Sequence, residues 1–391
     1  MLQNIKQFVF RLGKDEIILY LSAVAVFLYP YVSAVLAVAA AVYALACEDT
    51  RRKILQIPKS KWILLTPAVL IPIPLLYGNR VGLAAALLIY AILVFSLYLR
   101  SVMTARLYRN IVGILCAASI LCAVVALAQK LMNADVRTTA MFTNANYYAY
   151  ATELILIMAC HRLPRARSGG ARFFYVVVLC ANLLTMFTTG CRSAWVSVVC
   201  GLTVLFAAEK NQKGLAGLAG FALAYLLLAL RFPDLMWRVD ELNVSGSLRL
   251  QIWETAMNAI LRHPLFGQGA LAYYLISSKE FWHAHDLYLE LLLSFGIVGT
   301  GMLFVYFADV LRRLVAGVRS ASTGDKGIGT MLLALVSATL VHGLTDVTVM
   351  FTQTGILFAL LLAGVDLVQQ TAPERWNGLN LRPEPYAMFK G

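Results

Sequence analysis

Phe281, Trp282, His283, Ala284, His285 and Asp286 lead straight into a long apolar run that begins at Leu287. An imidazole at the mouth of such a helix suits general-base work, because its unperturbed pKa near 6.5 lets it take a proton at neutral pH. An interfacial histidine without chemistry is the alternative that residue type alone leaves open. His283 and His285 stand two residues apart, so they cannot share one helix face, and a helical metal site is disfavoured. The sequence has no H-E-x-x-H and no external cluster of Asp, Glu and His at ligand spacing. No metal and no cofactor is expected. Asp286 falls where an N-cap would lie, and Glu290 is one turn further on.

Two arginines could serve the same surface. Arg192 sits in a polar break, Thr189 to Ser193, between two apolar runs, and Arg249 opens an amphipathic stretch from Ser247 to Arg262. A guanidinium close to a bilayer grips a phosphate bidentately, as lysine cannot. A headgroup-level arginine and a solvated helix arginine are the plainer alternatives. In the amphipathic stretch Leu250, Trp253, Met257, Ile260 and Leu261 recur at helical spacing, with Arg249, Gln251, Glu254, Asn258 and Arg262 opposite. His263-Pro264 should end it, and such a helix can lie flat on the interface. His161, beside Arg162, reads as a plain interfacial residue. Asn144, Asn146, Glu153 and Asp346 add polar groups, and carboxylates at membrane depth default to functional hypotheses.

The elements that must position these residues are membrane spans. Of 391 residues 60% are apolar and 14% charged, against about 45–50% and about 25% in soluble domains. Apolar runs of roughly 18 residues recur along the whole chain. They cover residues 17–46, 62–77, 81–99, 111–131, 147–160, 173–189, 194–208, 215–230, 287–310, 328–344 and 347–368. The first holds Tyr29-Pro30-Tyr31 at its middle, which favours two crossings. The Gly214, Gly217 and Gly220 series reads as a close helix-packing face. The seven Cys form no C-x-x-C pair, so neither a disulfide framework nor a Cys-based metal site is expected. Met1 to Glu16 reads as the n-region of an uncleaved first helix.

The formal charge of +13 then reports orientation rather than nucleic-acid binding. With about twelve spans, the positive-inside rule puts both termini and the segments holding Arg51–Lys53, Arg100–Arg109, Arg162–Arg172, Lys210–Lys213 and Arg312–Lys326 in the cytoplasm. Outside fall Arg80, Lys130, Arg137, Arg192, Arg231, Arg238, Arg249, Arg262 and Lys279. The expectation is an all-α polytopic membrane protein, residues 1–391 forming one domain. Residues 231–286 form its large external loop, with an amphipathic helix inside it.

Taken in order, five stretches resemble the O-antigen ligase and polymerase family of membrane glycosyltransferases. They are Arg137 to Asn146, Thr189 to Trp195, Leu248 to Trp253, His263 to Gly269 and His285 to Gly299. Asn146 matches the second Asn of the family's N-P-N stretch with Ala145 in place of Pro, and Asp286 replaces the Asn that follows the family histidine. The resemblance implies transfer of a glycan from an undecaprenyl diphosphate carrier to an acceptor glycolipid, glycan or protein. The site would face outward from the bacterial cytoplasmic membrane, without a metal. It further implies that Arg192 and Arg249 bind the diphosphate and that His285, preferred to His283, accepts the acceptor proton. Arg137, Asn146, His283, Asp286, Glu290 and Asp346 would be site neighbours. A single displacement of this kind would invert the anomeric centre. A repeat-unit polymerase of the same family, or a multi-pass transporter or flippase of lipid-linked glycans, are the competing expectations. A flippase would require internal repeats, and none is visible.

Overall fold

A computed structural model describes residues 12–232, 242–320 and 327–369, and every regular element among them is helical. The N-terminal third holds α1 (Lys14–Ala25), α2 (Pro30–Ala46), α3 (Glu48–Gln56), α4 (Ser60–Leu65), α5 (Pro67–Leu70), α6 (Pro72–Leu76), α7 (Arg80–Val102) and α8 (Ala105–Met132). The centre holds α9 (Ala145–Arg162), α10 (Gly169–Thr189), α11 (Arg192–Ala208), α12 (Gln212–Arg231), α13 (Leu242–Arg262) and α14 (Ala272–Ile276). The rest comprises α15 (Leu287–Ser320), α16 (Gly327–Gly343) and α17 (Thr352–Leu362).

Five of these are long and apolar enough to cross a membrane, or up to six if α2 and α3, bent by 92°, form one span. The remaining apolar runs form shorter helices. The first run breaks at Tyr29, and Pro30 takes the first helical position of α2, where its missing N–H costs nothing. Residues 62–77, expected as one span, form three short helices instead. Pro67, Pro72 and Pro74 remove the hydrogen bonds a continuous helix would need. Arg312, Arg313 and Arg319, expected in a loop, extend α15 by further turns.

Helix α9 is the hub. Its sequence is apolar almost all round, which suits only a buried helix, and all but two of its 18 residues are buried. Around it pack α8, α10, α11, α16 and α17. Both α9 and α16 run from one end of the molecule to the other. At one end Arg165 pairs with Glu209 at 2.8 Å and His161 Nε2 donates to the Gly327 carbonyl at 2.9 Å. Arg100 grips Asp366 there through Nε and Nη2 at 2.9 and 2.8 Å. His161, only 1% exposed, is thus a buried link rather than an interfacial residue. The other end carries Asn146, Arg192 and His342. Arg100 and Arg165 thus lie at one end and Arg137, Arg192 and Arg249 at the other.

Within the Gly series on α12, a Cβ added at Gly214 would lie 2.8 Å from the Phe206 ring, whereas one at Gly217 or Gly220 would meet nothing within 4 Å among the described residues. No residue of α12 is buried.

Two of the stretches that carried the resemblance interlock. Helix α15 breaks at Gly296, with φ 59° and ψ −170°, a backbone region essentially restricted to glycine. The break exposes carbonyls and N–H groups that the stretch after α13 satisfies. Gln268 and Gly269 N–H donate to the Leu293 and Ser294 carbonyls at 2.8 and 2.9 Å. Ile297 and Val298 N–H donate to the Pro264 and Leu265 carbonyls at 2.9 and 3.0 Å. A Cβ on Gly296 would lie 2.3 Å from the Leu265 oxygen. We therefore expect Gly296→Ala to destabilise the fold by more than about 3 kcal/mol, from strain and clash together. A sharply reduced yield of monodisperse protein in mild detergent would register this; a normal yield with an unchanged melting temperature would contradict it.

Candidate active site

A cavity of about 190 Å³ opens at the Asn146 end, lined by Arg137, Asn146, Gly190, Cys191, Arg192, Ser193, Leu248, Arg249, Ile252 and His285. Five of the nine candidate residues therefore share one wall. Small-molecule pockets usually measure about 300–1,000 Å³, so this space is small and suits part of a ligand rather than the whole of one.

Three separate segments supply the cations. Gly190 ends α10 in the left-handed region at φ 61°, and α11 begins two residues later at Arg192. Gly190, Cys191, Arg192 and Ser193 all face the cavity, so the positive end of the α11 dipole and the Arg192 side chain act on one space. Arg249 arrives from α13. That helix ends at Arg262 before His263-Pro264, as expected, but it buries a different face. Ile252, Ala256, Ala259 and Ile260 are 0–8% exposed, whereas Leu250, Met257 and Leu261 are 44–69% exposed. Ile260 and Trp253 of the expected face do turn inward, but the buried face is rotated toward Ala256 and Ala259, whose small size allows the close approach to α15. Arg249 and Ile252, three residues apart, consequently look into the cavity, and Arg249 is half-buried rather than solvated. Arg137 braces the wall, with Nε donating to the Thr189 carbonyl at 2.7 Å and Nη2 donating to Asn146 Oδ1.

The histidines precede α15 in a loop and not on the helix, and this alters the spacing argument. His285 has a left-handed backbone at φ 50°, a strained conformation that clusters at functional sites. Through this turn both rings reach one carboxylate. His283 Nε2 and His285 Nδ1 each lie 3.7 Å from Asp346 Oδ1. Asp346 is 1% exposed, in the turn after α16, and Asn146 Nδ2 donates to its Oδ2 at 2.6 Å. Arg137, Asn146 and Asp346 are thus hydrogen-bonded in series, with His285 Nδ1 3.7 Å beyond. Burial raises the Asp346 carboxyl, but the His285 and His283 imidazoles outweigh this and hold it below the usual carboxylate range.

His283 has a different environment. The His285 N–H donates to its Nδ1 at 3.2 Å, so the neutral ring carries its proton on Nε2, which faces Tyr147 Oη at 3.2 Å. Burial pushes its pKa down to about 4, against the opposing pull of Asp346. The folded pKa is below the ordinary value, so the unfolded chain binds the extra proton as pH falls from about 6.5 to about 4. His283 should therefore cost up to roughly 3 kcal/mol of stability across that window. His283→Gln should flatten the acid-side fall in melting temperature; an unchanged slope would count against it.

His283, His285 and Asp346 place three potential ligand atoms within 4.8 Å of one another. Their hydrogen bonding does not suit a cation. The His283 atom that would have to ligate is Nε2, which holds the proton while Nδ1 accepts the His285 N–H. The three groups lie close enough to interact electrostatically, with each imidazole nitrogen 3.7 Å from the carboxylate.

Asp286 and Glu290 take structural places. Asp286 Oδ1 accepts the Tyr288 and Leu289 N–H groups at 2.9 and 2.8 Å, the expected cap of α15. Glu290 is absent from the cavity wall. Its oxygens accept the Ala284 N–H at 2.9 Å and Ser294 Oγ at 3.0 Å, and so fix the histidine loop onto the helix. A nucleophile role for Glu290, which would favour retention, has no support in this placement.

The sequence reading missed His342, which lies fully buried at the end of α16. Its Nδ1 stands 2.8 Å from Glu153 Oε2 and its Nε2 3.3 Å from Ser193 Oγ. The available signal was a histidine inside an apolar run.

Comparison with known proteins bears on the same segments. No curated protein matches the chain. Residues 174–304, about a third of the chain, match the family model described as O-antigen ligase. That stretch contains Arg192, Arg249 and His285 together with the interlocked glycine break of α15. It thus supplies both cavity arginines and the cavity histidine, and over that stretch the chain is similar to the O-antigen ligase family.

Proposed function

We propose that this protein is a glycosyltransferase of the outer face of the bacterial cytoplasmic membrane, moving a glycan from an undecaprenyl diphosphate carrier onto an acceptor hydroxyl. One observation carries the reading. A single small cavity joins Arg192 and Arg249, from separate elements, to a histidine whose Nδ1 is turned toward a buried carboxylate. The arginines and the start of α11 hold the diphosphate, so that charge developing on the leaving group meets fixed positive groups. Asp346, 3.7 Å from His285 Nδ1, favours a proton on that nitrogen electrostatically and leaves Nε2 as the basic atom for the acceptor proton. The acceptor oxygen attacks the anomeric carbon from the face opposite the diphosphate, and the configuration inverts. No metal is needed for this division of labour.

The charge pattern of the sequence, read by the positive-inside rule, supports an orientation with this cavity outside and both termini in the cytoplasm. The decisive experiment uses the full chain in lipid nanodiscs with a defined undecaprenyl-diphosphate-linked glycan. Transfer to a glycolipid or protein acceptor is expected of a ligase, and extension of a second carrier-bound chain is expected of a polymerase. Movement of donor across a liposome bilayer without transfer would overturn the reading in favour of a flippase.

A further inference from the structure

Below the cavity wall lies a second polar chain that the transfer chemistry above does not use. Glu153 of α9 and His342 of α16 are both 0% exposed and hydrogen-bonded at 2.8 Å. His342 Nε2 continues to Ser193 Oγ at 3.3 Å, and Ser193 stands on the cavity wall beside Arg192. Cys191 Sγ, also on that wall, lies 3.2 Å from Ser193 Oγ. A buried carboxylate and imidazole are costly in a membrane protein unless they serve a purpose. Here Glu153 Oε1 has no hydrogen-bond partner among the described residues, so packing alone does not account for the pair. An acid, an imidazole and a hydroxyl in series, ending at a substrate cavity, make an arrangement for moving a proton.

We propose that Glu153, His342 and Ser193 form a relay that protonates the departing diphosphate, a role that rests on the glycosyltransferase reading above. As the anomeric C–O bond breaks, its electron pair stays on the diphosphate oxygen. Ser193 Oγ–H donates a proton to that oxygen and takes one from His342 Nε2–H. His342 ends neutral, with Nδ1–H still on the Glu153 carboxylate. Meanwhile the acceptor oxygen forms the new bond to the anomeric carbon and its proton passes to His285. One proton is gained by His285 and one is given up by His342. Exchange with water through the emptied cavity restores both.

The groups facing His342 are few. Glu153 and Tyr150 approach from α9, Cys191 and Ser193 from the start of α11, and Asp346 from the turn beyond. Helix α15 meets this region of α16 through Leu287 against Gly343 and through Tyr288 Oη on the Leu340 carbonyl. Burial raises the Cys191 thiol, yet the His342 and Ser193 side chains beside it outweigh this and bring its pKa below the ordinary value.

The test is the pH profile of transfer by the full chain in nanodiscs with the defined carrier donor. Wild type should show an alkaline limb, where the relay loses its proton. Ser193→Ala should lower kcat by about 100-fold and erase the alkaline limb with the donor KM unchanged. Ser193→Thr, which keeps a hydroxyl, should restore most of both. Glu153→Gln should shift the alkaline limb to lower pH. Ser193→Ala with kcat within about twofold of wild type and an intact limb would overturn the relay, while His285→Ala still inactive would leave the parent reading standing. A glycosyl adduct trapped on Ser193 or Cys191 would also overturn it, by making that residue a nucleophile. Wild-type protein that transfers to no acceptor would remove the parent reading itself.

Discussion

His285→Ala should lose about 100- to 10,000-fold in glycan transfer while folding normally, the range spanned by a positioned general base. The expectation follows from the contrast with His283, its neighbour in the same loop. Both rings lie 3.7 Å from Asp346, but only His285 lines the cavity. His283 points its protonated Nε2 at Tyr147 and receives the His285 N–H on Nδ1, so neither nitrogen is left to accept a substrate proton. His283→Gln should therefore retain far more transfer than His285→Ala. The reverse order would transfer the base assignment to His283. Asp346→Asn should fall between wild type and His285→Ala, because the imidazole keeps its place but loses the carboxylate that orients it and stabilises its protonated form. Initial rates from a carrier-linked donor, with insertion checked by solubilised yield, separate these outcomes.

The parts of the site that were legible in the sequence share a physical feature: a polar residue interrupting apolar sequence at a span end. Arg192 breaks two apolar runs, Asp286 caps the helix that follows it, and His263-Pro264 stops α13. Each effect is local, so neighbouring residues announce it. Other features depend on distant partners. Glu153 and His342 are 189 positions apart and meet only because α9 and α16 lie side by side. The inward face of α13 depends on Ala256 and Ala259, whose small size matters only against α15. Residues two apart on a helix point to different faces, whereas the positive φ of His285 lets His283 and His285 both approach one carboxylate. The glycines of α12 look like a packing face in sequence, yet nothing packs on Gly217 or Gly220. The three short helices between Ser60 and Leu76 show the converse, since prolines visible in the sequence defeat an otherwise adequate apolar run.

Arg192 carries the other large expectation. Arg192→Ala should reduce turnover by about 100- to 1,000-fold, as loss of one donor to a developing anion does. Arg192→Lys should still cost at least about 10-fold, because an ammonium keeps the charge but not the planar fork that meets two phosphate oxygens at once. Arg249 enters the same cavity from α13, on an element with no covalent or sequence proximity to the Arg192 turn. If both hold one diphosphate, removing the second after the first should cost less than it does alone, since the ligand has already lost its fixed position. The Arg192→Ala, Arg249→Ala double variant should accordingly lose less than the product of the two single losses. The sharing should also show in product inhibition by inorganic diphosphate, weakened in each single variant and little further in the double. Independent, fully multiplicative losses would mean that the two arginines bind different groups. Full activity in Arg192→Lys would reduce Arg192 to a general positive charge, leaving the dipole of α11 as the main anion-holding element on that wall.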